Sequence, residues 1–167
     1  KSEVMRAIRI RMAVKTEILR TCVFSVLLYA AETWTVKKND QDRLLAFEMR
    51  CYRRLPNIRW QPRITNVEVR RRMNSTENIV QTVIRRKMEL FGHICRMGDA
   101  RMVKKMVFGT MGGKNRRGRP RREWLDDILE WGSGDLAVLS REAVNRENWR
   151  QWAQWAVDTY GQCAHGA

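Results

Sequence analysis

Histidine, proline and cysteine are scarce in this chain: 2, 3 and 4 among 167 residues. Each scarcity excludes something. Two histidines are too few for ordinary acid–base work by imidazole. The cysteines (Cys22, Cys51, Cys95 and Cys163) lie far apart and follow no secretory signal, so reduced intracellular thiols are expected rather than a disulfide framework. Prolines 56, 62 and 120 are the only ones, which leaves long helices allowed over most of the chain. Long apolar runs are missing too. The most apolar stretch, Cys22–Ala31, falls well short of the roughly 20 residues that span a bilayer, so it reads as a buried helix and no membrane partner is expected. No Ser/His/Asp set and no phosphate-cradling glycine loop is present.

Acidic residues are also under-represented. There are 33 Lys/Arg against 18 Asp/Glu, a formal charge of +15. The imbalance is uneven: residues 1–122 hold 30 Lys/Arg and 10 Asp/Glu, whereas residues 123–167 hold 3 and 8. Self-repulsion of that size destabilises a compact state unless a polyanion relieves it. Nucleic acid is the expected partner of the cation-rich part. With 44% apolar residues the chain has enough material for a core, which argues against wholesale disorder.

Helical periodicity runs through most of the chain. Residues 3–31 read as helix in two pieces, the second with Ile18, Leu19, Cys22, Val23, Val26 and Leu27 at i, i+3/i+4 spacing. Thr33–Val36 looks β-like. A helix capped by Asn39 or Asp40 runs to about Leu55, where Pro56 stops it, with Leu44, Phe47, Cys51 and Leu55 on one face and Arg43, Arg50 and Arg54 mostly elsewhere. Thr65-Asn-Val-Glu68 has capping-box spacing and opens a helix to about Met73. Ser75 is expected to cap a long helix through about Met97, and Asp99 a short one ending near Phe108. Residues 109–119 form a Gly- and Arg-rich linker, after which Pro120 starts a helix to Trp131, and a final helical region covers about 136–160.

The strongest local motif is Arg116-Arg-Gly-Arg-Pro-Arg-Arg122. Gly118 permits close backbone approach to a groove floor, Pro120 keeps the segment extended, and the flanking arginines reach phosphates. Its Arg-Gly-Arg-Pro core is similar to an AT-hook, which reads the A·T minor groove. A solvated hinge is the plainer alternative. The triplets Arg70-Arg-Arg72 and Arg85-Arg-Lys87 each fan across about 200° of helix, so one or two residues of each at most face a phosphate chain. A helix-turn-helix over 66–97 is disfavoured, because the second helix carries its basic residues in the middle rather than at its N-terminal turn. His93-Ile-Cys95 and Cys163-Ala-His165 have one-residue spacings that match no common zinc pattern. Asp126-Asp127 stands beside Arg121 and Arg122, so helix-dipole and side-chain pairing account for it without a two-metal site. The tryptophans of the tail (124, 131, 149, 152 and 155) sit at helical spacing and suit a core. No catalytic residue, metal or cofactor is expected.

Seven blocks in order carry a family resemblance: Leu28-Tyr-Ala-Ala-Glu-Thr-Trp34, Leu45-Ala-Phe-Glu-Met-Arg-Cys-Tyr-Arg-Arg54, Ile58-Arg-Trp60, Thr65-Asn-Val-Glu68, Phe91-Gly-His-Ile-Cys-Arg-Met97, Gly118-Arg-Pro-Arg-Arg-Glu-Trp-Leu-Asp-Asp-Ile128 and Asn145-Arg-Glu-Asn-Trp-Arg150. Together they resemble the region that follows the polymerase palm in non-LTR (LINE-type) retrotransposon reverse transcriptases. Two departures stand out: Ala30 occupies a position that is usually glycine, and Leu55-Pro56 interrupts a stretch that is usually continuous. The resemblance implies a thumb-like helical bundle with a C-terminal extension that grips template-primer, element RNA or target DNA. The catalytic Asp-Asp loop of the palm lies outside this chain, so polymerase activity does not carry over, and a polymerase palm becomes an implied partner.

The resulting expectation is an all-α protein, an irregular helical bundle with a flexible basic linker and a small C-terminal helical subdomain. Residues 1–108 would form the basic thumb-like domain, 109–119 the linker and 120–167 an acidic, Trp-rich segment. Its function would be non-enzymatic gripping of RNA, DNA or a hybrid, inside the cell and in the nucleus rather than the cytoplasm. The expected contacts are Arg50, Arg53, Arg54, Arg70, Arg85, Arg86, Lys87, Lys114, Arg116, Arg117, Arg119, Arg121 and Arg122. A recruited DNA-binding regulator using the AT-hook-like linker, or a decayed structural remnant, are the rival readings.

Overall fold

The computed structural model describes residues 11–58, 64–109, 118, 121–132 and 134–161. All regular structure among them is helical, so the all-α expectation is correct. Residues up to Tyr29 together with Lys37–Thr82 form one compact unit, and Ala30–Val36 with the chain from Val83 onward form a second. The basic segment at 109–119 is therefore not where the two units divide. A seven-residue strap, 30–36, is lent from the N-terminal half to the second unit.

The first unit contains α1 (Met12–Ile18), a π-helical turn (Leu19–Phe24), α2 (Ser25–Leu27), α3 (Lys38–Arg54) and α4 (Asn66–Arg72). The π turn sits inside the continuous apolar pattern and buries Leu19 and Phe24. Phe24 packs against Phe47 and Tyr52 of α3, with ring centroids 6.4 and 5.9 Å away. The expected cap of α3 is realised differently. Lys37 is the capping position, and its N–H donates to Asp40 Oδ2 at 3.3 Å. Thr65 caps α4 as expected, its hydroxyl accepting from the Glu68 N–H at 3.3 Å. The Glu68 carboxylate accepts instead from Arg71 and Arg72.

Helix α5 (Ile79–Cys95) starts three residues later than the Ser75 cap implied. Asn78 and Gln81 form the reciprocal cap: Gln81 N–H donates to Asn78 Oδ1 and Asn78 N–H to Gln81 Oε1, both at 2.8 Å. Ser75 is drawn off to the Tyr52 hydroxyl, 3.1 Å away. The first turn of α5 belongs to the first unit and the rest to the second.

The second unit adds α6 (Met102–Phe108), α7 (Trp124–Gly132), α8 (Leu136–Glu142) and α9 (Arg146–Tyr160). Arg101, not Asp99, precedes α6; Asp99 pairs with Lys104 at 2.8 Å. Pro120 lies outside the described residues, and α7 begins at Trp124, with the Glu123 N–H held by Asp126 Oδ2 at 2.7 Å. The helical region expected over about 136–160 consists of two helices, because Asn145 Oδ1 accepts from the Glu147 and Asn148 N–H groups and starts α9 afresh. Phe91 is fully buried at the centre, its ring 5.3 Å from Trp149, 6.1 Å from Phe108 and 6.5 Å from Trp124. Gly92 is required there, since a methyl group at that position would overlap the Trp149 indole.

The strap is the clearest departure from the sequence reading. Thr33–Val36 is not a strand. Ala31–Thr33 is a 3₁₀ turn followed by extended backbone at Trp34. Ala30 enters it in the left-handed region, at φ 54°, where a β-carbon is strained and glycine is not.

Candidate nucleic-acid interface and the buried charge clusters

The thirteen expected contact residues divide by burial. Arg50 and Arg54 on α3, and Arg121 before α7, are exposed. Arg53 is half-buried, and its guanidinium donates to the Ile64 carbonyl and to Asn66 Oδ1, both at 2.9 Å. Arg85 and Arg86 are half-buried and engaged within the protein. Lys114, Arg116, Arg117 and Arg119 lie outside the described residues. Gly118 is exposed at φ 130°, in the range that favours glycine.

Three of the expected contacts, Lys87, Arg122 and Arg70, are engaged by carboxylates within the fold. Lys87 is wholly buried. Its ammonium donates to Asp127 Oδ2 and, at 2.6 Å, to the Trp34 carbonyl, and it lies 5.0 Å from the Trp124 ring centroid and 5.6 Å from that of Trp131. Burial pushes its pKa down, and Asp127 opposes that shift. Asp127, equally buried, also accepts from the Val36 N–H at 2.8 Å and from Arg122 Nε at 2.6 Å. Arg122 reaches on to Glu130. The paired carboxylates 126 and 127 thus part: the first receives the Glu123 N–H at the start of α7, and the second anchors the strap. The backbone of this stretch bonds to the ion pair instead of to a neighbouring strand, the Trp34 carbonyl accepting from Lys87 and the Val36 N–H donating to Asp127, and Trp124 Nε1 donates to the Glu32 carbonyl at 2.8 Å.

Arg70 is held in a similar way. Only 12% of its side chain is exposed, and it pairs with the buried Glu48 at 2.8 Å. Glu48 also accepts the first N–H of α5, from Ile79, at 3.1 Å. Burial raises the Glu48 pKa, while Arg70 and the Ile79 N–H hold it down.

Among the described residues of the first unit, the accessible cations include a line on α3. Arg43, Arg50 and Arg54 are all exposed. They are spaced seven and four apart, so they fall within about 40° of one another around the helix. Opposite them, Gln41, Glu48, Met49 and Tyr52 are buried. Among the described residues none of the three arginines has a carboxylate within ion-pair distance. Arg43 was not among the expected contacts, although its register with Arg50 and Arg54 is visible in the sequence. Arg71 and Arg72, exposed on α4, are neutralised by Glu68, whose pKa they pull down to about 2.

Among the described residues no group of three or more His, Cys, Asp and Glu is placed to hold a metal ion. His93 is exposed and Cys95 buried, with burial raising the thiol to about 11; Cys163 and His165 lie outside the described residues. No described helix is long and apolar enough to cross a membrane. Comparison with protein-family models, with curated proteins and with solved structures finds no match to this chain.

Proposed function

We propose that the chain is a non-catalytic module that grips the sugar-phosphate backbone of nucleic acid with little regard to sequence. The observation that carries this is the exposed, unneutralised arginine line on α3, set in a region, residues 1–122, with 30 Lys/Arg against 10 Asp/Glu. Cations whose charge is not answered inside the fold are the ones available to displace counterions from a polyanion. Arg50, Arg54 and Arg121 supply contacts, and the basic segment 114–119 extends the grip. Lys87 and Arg70 are excluded because their charges are spent on Asp127 and Glu48. The seven sequence blocks make a post-palm segment of a LINE-type reverse transcriptase the natural setting for such a module, and in that setting RNA, DNA or a hybrid is the ligand and a polymerase palm the neighbour. The nucleus is the compartment this setting favours.

The test is direct binding of the full chain to labelled duplex DNA, single-stranded DNA and RNA, each in two unrelated sequences. Affinities that agree within about tenfold between sequences of one type are expected. Absence of binding to all of them at about 0.1 M salt contradicts the reading.

A second reading has its own support. Gly118, at the centre of Arg-Gly-Arg-Pro, has a backbone conformation that favours glycine, as a close approach to a minor-groove floor would require. In this reading a ligand of the A·T minor groove competes the chain off duplex DNA; persistence of binding favours phosphate gripping.

A further inference from the structure

The geometry points to α3 as a one-strand phosphate ladder, with Arg43, Arg50 and Arg54 as its rungs and the phosphodiester backbone of a single nucleic-acid strand as its ligand. This rests on the nucleic-acid reading above and adds to it a site, a residue and a ligand geometry. Three features carry it. The rungs are collinear: spacings of seven and four residues bring each side chain back to nearly the same bearing. The line is long and narrow, about 16 Å from Arg43 to Arg54 at 1.5 Å per residue. Three rungs over that length face a short run of successive phosphates on one strand, each arginine able to displace a counterion.

Among the described residues of α3, the neighbours of the line keep it one residue wide. Ala46, also exposed, fills the gap between the first two rungs and brings no charge. Asp42 lies exposed to one side, 4.0 Å from Lys38. Arg53, next to Arg54 in the chain, is turned away to Ile64 and Asn66. A single row of cations matches a single row of phosphates; a broad patch would meet both edges of a groove. The opposite face is locked into the core through Tyr52, Met49 and Glu48, so the rungs stand on a fixed rod and not on a loop.

The experiment measures the slope of log affinity against log salt for the full chain on a labelled homopolymeric single strand and on a labelled duplex. R43Q, R50Q and R54Q are compared with R71Q, which removes an exposed arginine already paired with Glu68. Circular dichroism confirms that each variant is folded. Each ladder variant is expected to make the slope shallower by about 0.7 on the single strand and 0.9 on the duplex, and the triple variant by about three times as much, whereas R71Q leaves it near the wild-type value. If R43Q behaves like R71Q while R50Q and R54Q do not, the line is not a ladder. If all three ladder variants keep the wild-type slope, the ladder is wrong and the nucleic-acid reading stands on other residues. If the wild-type chain itself binds neither probe, that reading falls and the ladder with it.

Discussion

The Lys87 ammonium and the Asp127 carboxylate meet with neither side chain exposed to solvent. Each also holds the main chain of the strap, Lys87 through the Trp34 carbonyl and Asp127 through the Val36 N–H. Replacing a buried pair by apolar groups is often tolerable, but removing one partner leaves an uncompensated charge. Asp127 serves three donors (Lys87, Arg122 and Val36), so it is the less replaceable of the two. Asp127→Asn is expected to cost about 3–5 kcal/mol, measured by urea unfolding, and Lys87→Met less, because Asp127 keeps Arg122. The reverse order would show that the strap is not anchored through the carboxylate.

Ala30 offers a gain in stability. Its φ of 54° costs an L-residue about 1–2 kcal/mol, partly offset by the greater unfolded-state freedom of glycine. Ala30→Gly is expected to stabilise the protein by about 0.5–1 kcal/mol, seen as a rise in the denaturation midpoint. A loss of stability would mean that this turn is not left-handed in solution.

Gly92 is expected to behave in the opposite way. Gly92→Ala drives a methyl into the Trp149 indole and displaces a ring that packs on Phe91 and donates to the Met88 carbonyl at 2.7 Å. Overpacking of this kind costs about 1–3 kcal/mol. Loss of the native Trp fluorescence environment should accompany it; an unchanged spectrum and midpoint would place Trp149 elsewhere.

The Glu68 cluster sets an acid response. Its carboxyl titrates at about 2 in the folded chain against an ordinary 4.5, first through the hydrogen bond from Arg71 and then through that from Arg72. A depressed carboxyl pKa means that the unfolded chain takes up the proton first on acidification. The contribution is therefore complete above about pH 4.5 and is lost as pH falls through about 2. The Glu68 carboxyl carbon, followed by NMR, should titrate with a midpoint near 2, and the stability difference between wild type and Glu68→Gln should shrink over that interval. A midpoint near 4.5 would show that the arginines are solvated and available.

Much of the fold was legible because apolar periodicity and cap chemistry are local. The Thr65 cap, the end of α3 before Pro56 and the apolar face of α5 follow from neighbours within a turn or two. The charges were harder to read, since burial of a charge depends on a partner far along the chain. Lys87 belongs to a basic triplet, yet it also occupies the stripe shared by Val83, Ile84, Met88 and Phe91, all buried. Asp127 holds the matching place beside Ile128 and Trp131, and Glu48 beside Met49 and Tyr52. A charged residue at a core position of a helix is the signal that a distant counter-charge exists. Read that way, Lys87 and Asp127 would have been paired in advance, and Arg43 would have stood out as a cation on the solvent stripe. The residues of the 109–119 segment carry no such register, and apart from the backbone at Gly118 their part in binding rests on composition.

The most direct measurement of the central claim is the salt dependence of wild-type binding. Neutralising about six phosphates gives a log–log slope of about −4 on a single strand and about −5 on a duplex. A slope in that range is the result expected of a cationic helical surface that grips phosphates. Tight binding whose strength is flat from low to high salt would contradict it.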